Sequence, residues 1–367
     1  MSKILKKSNN KVIIFTAFSM IVLAFSVYSG QVFSAANAVD DNVEIISQII
    51  NKADINHDLQ NIKEEKNSKD DSQKDKVRNS VSDHKRIAFK KSNKSLQSSS
   101  NTLNVQISDN TKNKEIKLSR INSQKDSKIF TVSLPNTNES ITARMTNDGS
   151  AVYRGNQQST DIVAQSFDDS ARILTVLKGI DSATEYAYNI NLPIGSTINK
   201  SDDGGIIVLD NQGAFIGGFA APWAIDSQGN KIPTRYEIRG SSVVQIIDHI
   251  SSNTSYPVVA DPWMYINLIS SASWEYKSSG WRLLVTPTLW ARVNGGSALP
   301  YYVGLAGWDE LYSKYKDSGR GIKYNLGGMK DQYVCHQQFA FYKSTWNLDE
   351  WRPDVSYYNT VMALCNP

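Results

Sequence analysis

Between residues 128 and 262 the chain alternates short apolar runs with turn residues. Ile129-Phe130-Thr131-Val132-Ser133-Leu134 and the runs 171–177 and 185–192 show the period of two in which successive side chains face opposite sides of a sheet. Runs 206–209, 235–239 and 243–247 continue the series. Between them stand Asn147-Asp148-Gly149, Asp203-Gly204-Gly205, Asp210-Asn211-Gln212-Gly213 and Asp226-Ser227-Gln228-Gly229. Their glycines and asparagines tolerate the positive φ of tight turns. Strands punctuated this often predict an all-β sandwich or jelly-roll-like domain over 128–262.

The pattern changes at Trp263. Trp308, Leu311, Tyr312 and Tyr315 fall at i, i+3, i+4 and i+7, one stripe of a short helix ending near Gly319. Residues 326–338 predict a second helix. Trp281-Arg282-Leu283-Leu284-Val285-Thr286-Pro287 predicts a strand that residues 290–293 continue beyond the proline. A small α+β domain over 263–367 follows, giving a multidomain chain with seven of its eight tryptophans in the last module.

The first 127 residues lack this texture. Lys3, Lys6, Lys7 and Lys11 precede an almost unbroken apolar run at 12–28, and Ala36-Asn37-Ala38 supplies an A-x-A pattern. This order predicts a signal peptide over 1–38, cleaved before Val39, hence a secreted protein. The alternative is a retained anchor, so membrane contact is expected only through this segment before cleavage. Residues 39–127 hold Phe89 as their one aromatic and mix Lys, Asp, Asn, Ser and Gln. Burial of so little apolar surface does not offset ordering costs of about 1–2 kcal/mol per residue, which predicts a disordered charged linker or propeptide. Val43, Ile46, Ile49, Ile50 and Ala53 recur there at helical spacing, marking a transient or docking helix.

Charge and composition narrow the chemistry. The net charge is +4, and without the four leader lysines 36 basic residues balance 36 acidic ones. A neutral chain excludes phosphate-driven binding, so no nucleic-acid partner is expected. The Asp-rich turns lack the spacing of a calcium loop, and the four histidines are scattered; no metal and no cofactor is expected. His249 reads as a strand-edge residue. The two cysteines, Cys335 and Cys365, predict a disulfide in an exported chain. Closing that loop removes about 3.7 kcal/mol of unfolded-chain entropy.

Two resemblances add to this reading. Pro222-Trp223-Ala224-Ile225-Asp226, Tyr236-Glu237-Ile238 and Tyr256-Pro257-Val258-Val259-Ala260-Asp261-Pro262 resemble the closing part of β-rich domains in secreted Gram-positive and Rhs-type surface proteins. That likeness implies a boundary at Pro262 and a carrier role for the β domain. Trp346-Asn347-Leu348-Asp349-Glu350-Trp351-Arg352-Pro353, with Trp281 to Thr288, Gly307 to Leu311, Asp331 to His336 and Cys365-Asn366-Pro367, resembles a C-terminal domain of unknown function in secreted Gram-positive proteins. It implies a secreted, disulfide-bonded module and assigns no activity.

Three functions are weighed for that module. The leading one is binding of cell-wall or other glycans. Trp346 and Trp351, expected to be partly exposed, would stack on sugar rings, with Arg352 and His336 lining the site and Asp349 and Glu350 bonding hydroxyls. The second is a secreted hydrolase or toxin-like effector. His336 would be its acid or base, with Glu310, Glu350 or Asp331 as partner and Arg352 stabilising an anion. The third is a structural surface protein that binds another protein. No G-x-S-x-G, H-E-x-x-H or P-loop is present, so the residues favour binding over catalysis.

Overall fold

The computed structural model describes residues 43–67, 84–93, 95–108, 114–121, 129–135, 141–154, 159–201, 203–293 and 300–367. The leader and its cleavage pattern lie outside these residues. Among the described residues no helix is long and apolar enough to cross a membrane.

Two antiparallel sheets enclose one core. The first runs in the order Thr197–Lys200, Ile206–Leu209, Phe215–Phe219, Trp263–Tyr265, Ser170–Leu177, Thr160–Phe167, Ala151–Arg154 and Arg144–Met145. Arg86–Ile87 pairs with Thr160–Phe167, and Val258–Ala260 pairs with Ser170–Leu177. The second runs Thr234–Arg239, Ser242–Ile247, Glu185–Asn191, Ile129–Ser133, Glu115–Arg120, Leu103–Ser108, Ser95–Ser99 and Lys90–Ser92. Glu185–Asn191 buries every second residue, as a strand with one wet face should. Tyr186 and Tyr188 from it meet Ile173, Val208 and Phe219 of the first sheet.

The linker expected over 39–127 is, from Arg86 to Arg120, part of this sandwich. Leu96, Leu103, Val105, Ile107, Ile116 and Leu118 are all buried, alternating with polar residues that face outward. Composition averages the two faces of such a strand, so a half-polar segment reads as too polar to fold. Its period of two carries the signal instead. Residues 43–67 form one helix, α1 (Val43–Asn67), longer than the stretch the apolar spacing marked.

The central strands of the first sheet are buried on both faces, which is why Ile206–Leu209 is apolar throughout. Ile206 and Val208 point into the sandwich, whereas Ile207 and Leu209 join Phe167, Phe215, Trp263 and Tyr265 against the C-terminal residues. Gly217 and Gly218 mark the pinch between the layers. A Cβ on Gly217 would stand 2.6 Å from the Phe130 ring, and one on Gly218 would stand 2.3 Å from Ile206 O and 2.7 Å from the Trp290 ring. Tyr265 and Trp290 stack at 5.0 Å and 3°.

The C-terminal residues form a sheet of Ile269–Lys277, Gly280–Pro287 and Trp346–Asp349. The helices around it are α2 (Leu289–Val293), α3 (Pro300–Tyr315), α4 (Leu326–Phe339) and α5 (Tyr357–Met362). Residues 290–293 are therefore helical rather than strand, since Thr288 Oγ1 accepts from Ala291 N and starts a new turn after Pro287. Trp308 and Leu311 face the core as their spacing predicts. Gly304 and Gly307 let α4 approach closely, with Tyr333 Oη only 2.2 Å from where a Cβ on Gly307 would lie. The boundary at Pro262 needs moving: Trp263–Tyr265 hydrogen-bonds within the first sheet, between Ser170–Leu177 and Phe215–Phe219.

Candidate functional site

The hairpin Ile269–Lys277/Gly280–Pro287 projects aromatic side chains beyond its packed end. Trp274 pairs with Leu283 and Tyr276 with Trp281, so these four share one face. Leu283 is buried, whereas Trp274 and Trp281 are half-buried and Tyr276 is exposed. Arg320, in the connection between α3 and α4, lies over this cluster. Its guanidinium carbon is 4.9 Å from the Trp281 ring, 5.4 Å from Trp274 and 5.5 Å from the exposed Tyr324. Tyr276 meets Trp281 edge-on at 5.1 Å.

Residues 350–352 border the cluster. Glu350 accepts a hydrogen bond from Arg320 Nη2. Asn325 Nδ2 donates to Glu350 O at 3.1 Å and to Arg352 O at 2.7 Å, fixing the loop. Trp351 covers Gly280, which has φ of +141° and no room for a Cβ without Trp351 yielding. Arg282 stands 5.5 Å over the Trp351 ring. Trp274 Nε1, Arg320 Nε and Glu350 Oε1 are buried beneath the rings without a hydrogen-bond partner in the protein. Flat rings and a guanidinium, the latter held from below by Glu350, thus converge at one half-open surface, a combination suited to a polar ligand with apolar faces.

The residues singled out from sequence fall into different places. Trp351 borders the cluster and is half-buried. Trp346 does not: it is wholly buried, packs edge-on against Tyr333 at 5.3 Å, and donates from Nε1 to Ala340 O at 3.1 Å. The reason is its place on the edge strand of the module's sheet, where Trp346 and Leu348 both face the helices. Arg352 acts as a clasp. Its Nε donates to Asp349 Oδ2 at 2.8 Å, and its Nη1 donates to Asn366 O at 2.7 Å and Pro367 O at 2.8 Å. Asp349 is buried and also accepts from Arg282 Nε at 2.5 Å. Burial opposes its ionisation, but the bonds from Arg282 and Arg352 outweigh burial and hold its pKa below the usual carboxylate value.

His336 is buried on α4, and its Nδ1 donates to Gln332 O at 2.8 Å. Burial pushes its pKa down to about 4, so it is neutral at pH 7 and sits away from solvent. Its proposed acidic partners do not converge on it. The Glu310 carboxylate accepts from Leu268 N at 2.9 Å, Ile269 N at 3.1 Å and Lys314 Nζ at 2.7 Å, while Glu350 belongs to Arg320. Cys335 and Cys365 are bonded, with Cα atoms 5.3 Å apart. His249, two residues beyond the end of Ser242–Ile247, is fully buried, with Tyr256 Oη 2.8 Å from its Nδ1.

Sequence reasoning missed Trp274, Trp281, Tyr276, Tyr324 and Arg320 as a group. The pairing of Tyr276 with Trp281 is legible only after the Ser278-Ser279 turn is assigned, and Arg320 reaches the cluster through the fold. It also missed a second cluster. His84, Asp168 and Asp169 hold ligand-type atoms within 4.8 Å of one another, with His84 Nδ1 2.9 Å from Asp169 Oδ1. The Asp-rich turns, by contrast, use their carboxylates internally. Asp210 Oδ1 accepts from Gln212 N and Ala214 N, and Asp226 Oδ1 accepts from Gln228 N and Asn230 N.

Residues 269–367 match the model of a family described as a protein of unknown function (DUF2599). The chain is also 38% identical over 47 residues to uncharacterized proteins of Mycobacterium bovis and of Mycobacterium tuberculosis strain H37Rv. Those alignments cover 12% of this chain and 32% of each relative, so the chain spans about a third of the relatives it matches. No solved structure matches the chain.

Proposed function

We propose that this is an exported, cell-surface-associated protein whose C-terminal module binds cell-wall or related glycans at the surface formed by Trp274, Tyr276, Trp281, Tyr324 and Arg320. The observation that carries this reading is the meeting of half-open aromatic rings with the partly exposed guanidinium of Arg320. Sugar rings present apolar C–H faces to aromatic side chains and hydroxyls to charged ones. Export rests on the leader and on the disulfide, which persists in an oxidising compartment. Catalysis through His336 loses support from its burial and its low pKa. Docking of another protein has its own support in Tyr358, Met362 and Leu364, which are 70%, 66% and 86% exposed at the C-terminal end.

The test is co-sedimentation of the full oxidised chain with purified insoluble bacterial walls. Saturable depletion, reversed by soluble wall fragments and weakened at least tenfold by Trp281→Ala or Arg320→Ala, is expected. Absence of depletion across wall preparations would sink the glycan reading and favour the protein-docking one.

A further inference from the structure

We propose that His84, Asp168 and Asp169 form a binding site for a divalent transition-metal ion of the zinc class, which ties the start of the strand Arg86–Ile87 to the hairpin it pairs with. The register of that strand builds the site. Ile87 stands opposite Ser166 and Arg86 opposite Phe167, so the next steps set Lys85 against Asp168 and His84 against Asp169. Asp168 N donates to Lys85 O at 2.9 Å, which carries the pairing past the last strand residue. Asp168 and Asp169 are the two residues between Thr160–Phe167 and Ser170–Leu177. This short connection brings both carboxylates to one histidine, 85 positions from Asp169 in the chain.

The donor set suits such an ion. One imidazole nitrogen and two carboxylates offer three ligands, and an imidazole favours this class over calcium and magnesium, which take oxygen donors. In the tautomer with its proton on Nε2, His84 presents the Nδ1 lone pair toward Asp169 Oδ1, 2.9 Å away. Ligands held at about 2.0–2.2 Å from one ion lie about 3–4 Å from each other. The three ligand atoms here all lie within 4.8 Å, a gap that rotation of the two half-exposed carboxylates closes. The charges also match. Among the described residues neither aspartate pairs with a lysine or arginine, and Arg86, close in the chain, turns to Asp148 and Asp54. Two uncompensated carboxylates side by side balance one divalent cation.

The surroundings hold each ligand in place. The His84 side chain is 2% exposed, with its ring 4.7 Å from that of Trp263 and 6.1 Å from those of Phe167 and Tyr265. Ser170 Oγ donates to Asp169 Oδ1 at 2.8 Å, and Lys85 N donates to Asp168 Oδ1 at 3.3 Å. The hydroxyls of Ser100 and Thr102 donate to Asp168 O at 2.6 Å and 2.5 Å. Outer bonds that orient the ligands are a regular part of metal sites. The Asp169 side chain stays 23% exposed, so an ion enters from solvent and water completes its coordination.

Calorimetric titration of the full oxidised chain, freed of metal with a chelator, tests the site with Zn2+ as the probe. One ion per chain should bind saturably, at least tenfold more tightly than Ca2+ or Mg2+, and should raise the melting temperature. Asp168→Asn and Asp169→Asn keep an acceptor for Lys85 N and Ser170 Oγ and remove the charges. Each should weaken Zn2+ binding at least tenfold and shrink the rise in melting temperature, which a purely structural cluster would not do. A second measurement needs no variant. In the wild type, Co2+ should broaden the imidazole signals of His84 before those of His57, His249 and His336, the other histidines of the chain. Absence of saturable Zn2+ binding, folded Asn variants that bind as tightly as the wild type, or broadening centred on another histidine would each overturn the site. Ca2+ or Mg2+ binding as tight as that of Zn2+ would overturn the class of ion.

Discussion

Arg120 Nη2 lies 3.1 Å from Glu310 Oε2, joining a strand of the sandwich to a helix of the C-terminal module. Arg120 Nε also donates to Ile266 O and to Asn267 Oδ1, each at 3.0 Å, so the ion pair sits over the crossing from one part to the other. The Glu310 side chain is 2% exposed. Burial pushes its carboxyl up, but Arg120 and Lys314 outweigh burial and hold it below its usual pKa. Removing one partner of a buried pair strands the other, typically at about 3–5 kcal/mol. Glu310→Ala is therefore expected to lower the unfolding free energy, read from a urea titration, by an amount in that range. A loss of less than about 1 kcal/mol, the value of a surface pair, would show that the junction is open in solution.

The disulfide and Arg352 hold the same tail. Cys365 is bonded to α4, and Arg352 grips the carbonyls of the two residues that follow it. Reduction should destabilise the module by about 2–5 kcal/mol. The measurement is thermal unfolding with and without reductant. An unchanged transition would mean that the tail contributes nothing to the fold.

His336 should make the protein acid-sensitive. Its folded pKa of about 4 lies below the ordinary value of 6.5, so between them the unfolded chain binds more protons. Its contribution is complete above about pH 6.5 and is lost as pH falls toward 4, a change of about 3 kcal/mol from the free energy per pKa unit. His336→Gln should lose less melting temperature than the parent between pH 7 and pH 4.5. Parallel profiles would place the acid response elsewhere.

Asp261 acts with the opposite sign. It is fully buried, and burial pushes its pKa to about 8 from the ordinary 3.8. Between those values the folded chain binds more protons, so the cost of this residue grows as pH rises toward 8. Asp261→Asn keeps an acceptor for Trp223 N and removes the charge. Its melting temperature should exceed the parent's by a margin that widens from pH 5 to pH 8; a constant margin would refute the assignment.

How far the sequence reveals this molecule depends on which signal is local. Strands with one wet face, such as Glu185–Asn191, are written in period-two alternation and are read with nearly the right ends. The helix bearing Trp308 and Leu311 is equally plain. Residues 95–120 are not, because Leu96, Val105 and Leu118 are apolar positions diluted by serine, asparagine and lysine on the outer face. Trp346 and Trp351 stand in one short block, yet one is in the core and the other at the surface. That difference follows from the strand Trp346–Asp349 packing beneath the helices, a tertiary fact. The ring cluster about Arg320 needs three separate segments brought together, which no spacing announces.

The strand Trp263–Tyr265 has a mechanical consequence. It lies antiparallel between Ser170–Leu177 and Phe215–Phe219, and the C-terminal module hangs from its end. Antiparallel ladder bonds run perpendicular to the strands. A tension drawn along this strand from the C-terminal module therefore meets those bonds in shear, where they must break together rather than one after another. Three residues inserted between strands buried on both faces thus act as the rivet between the C-terminal module and the body behind it.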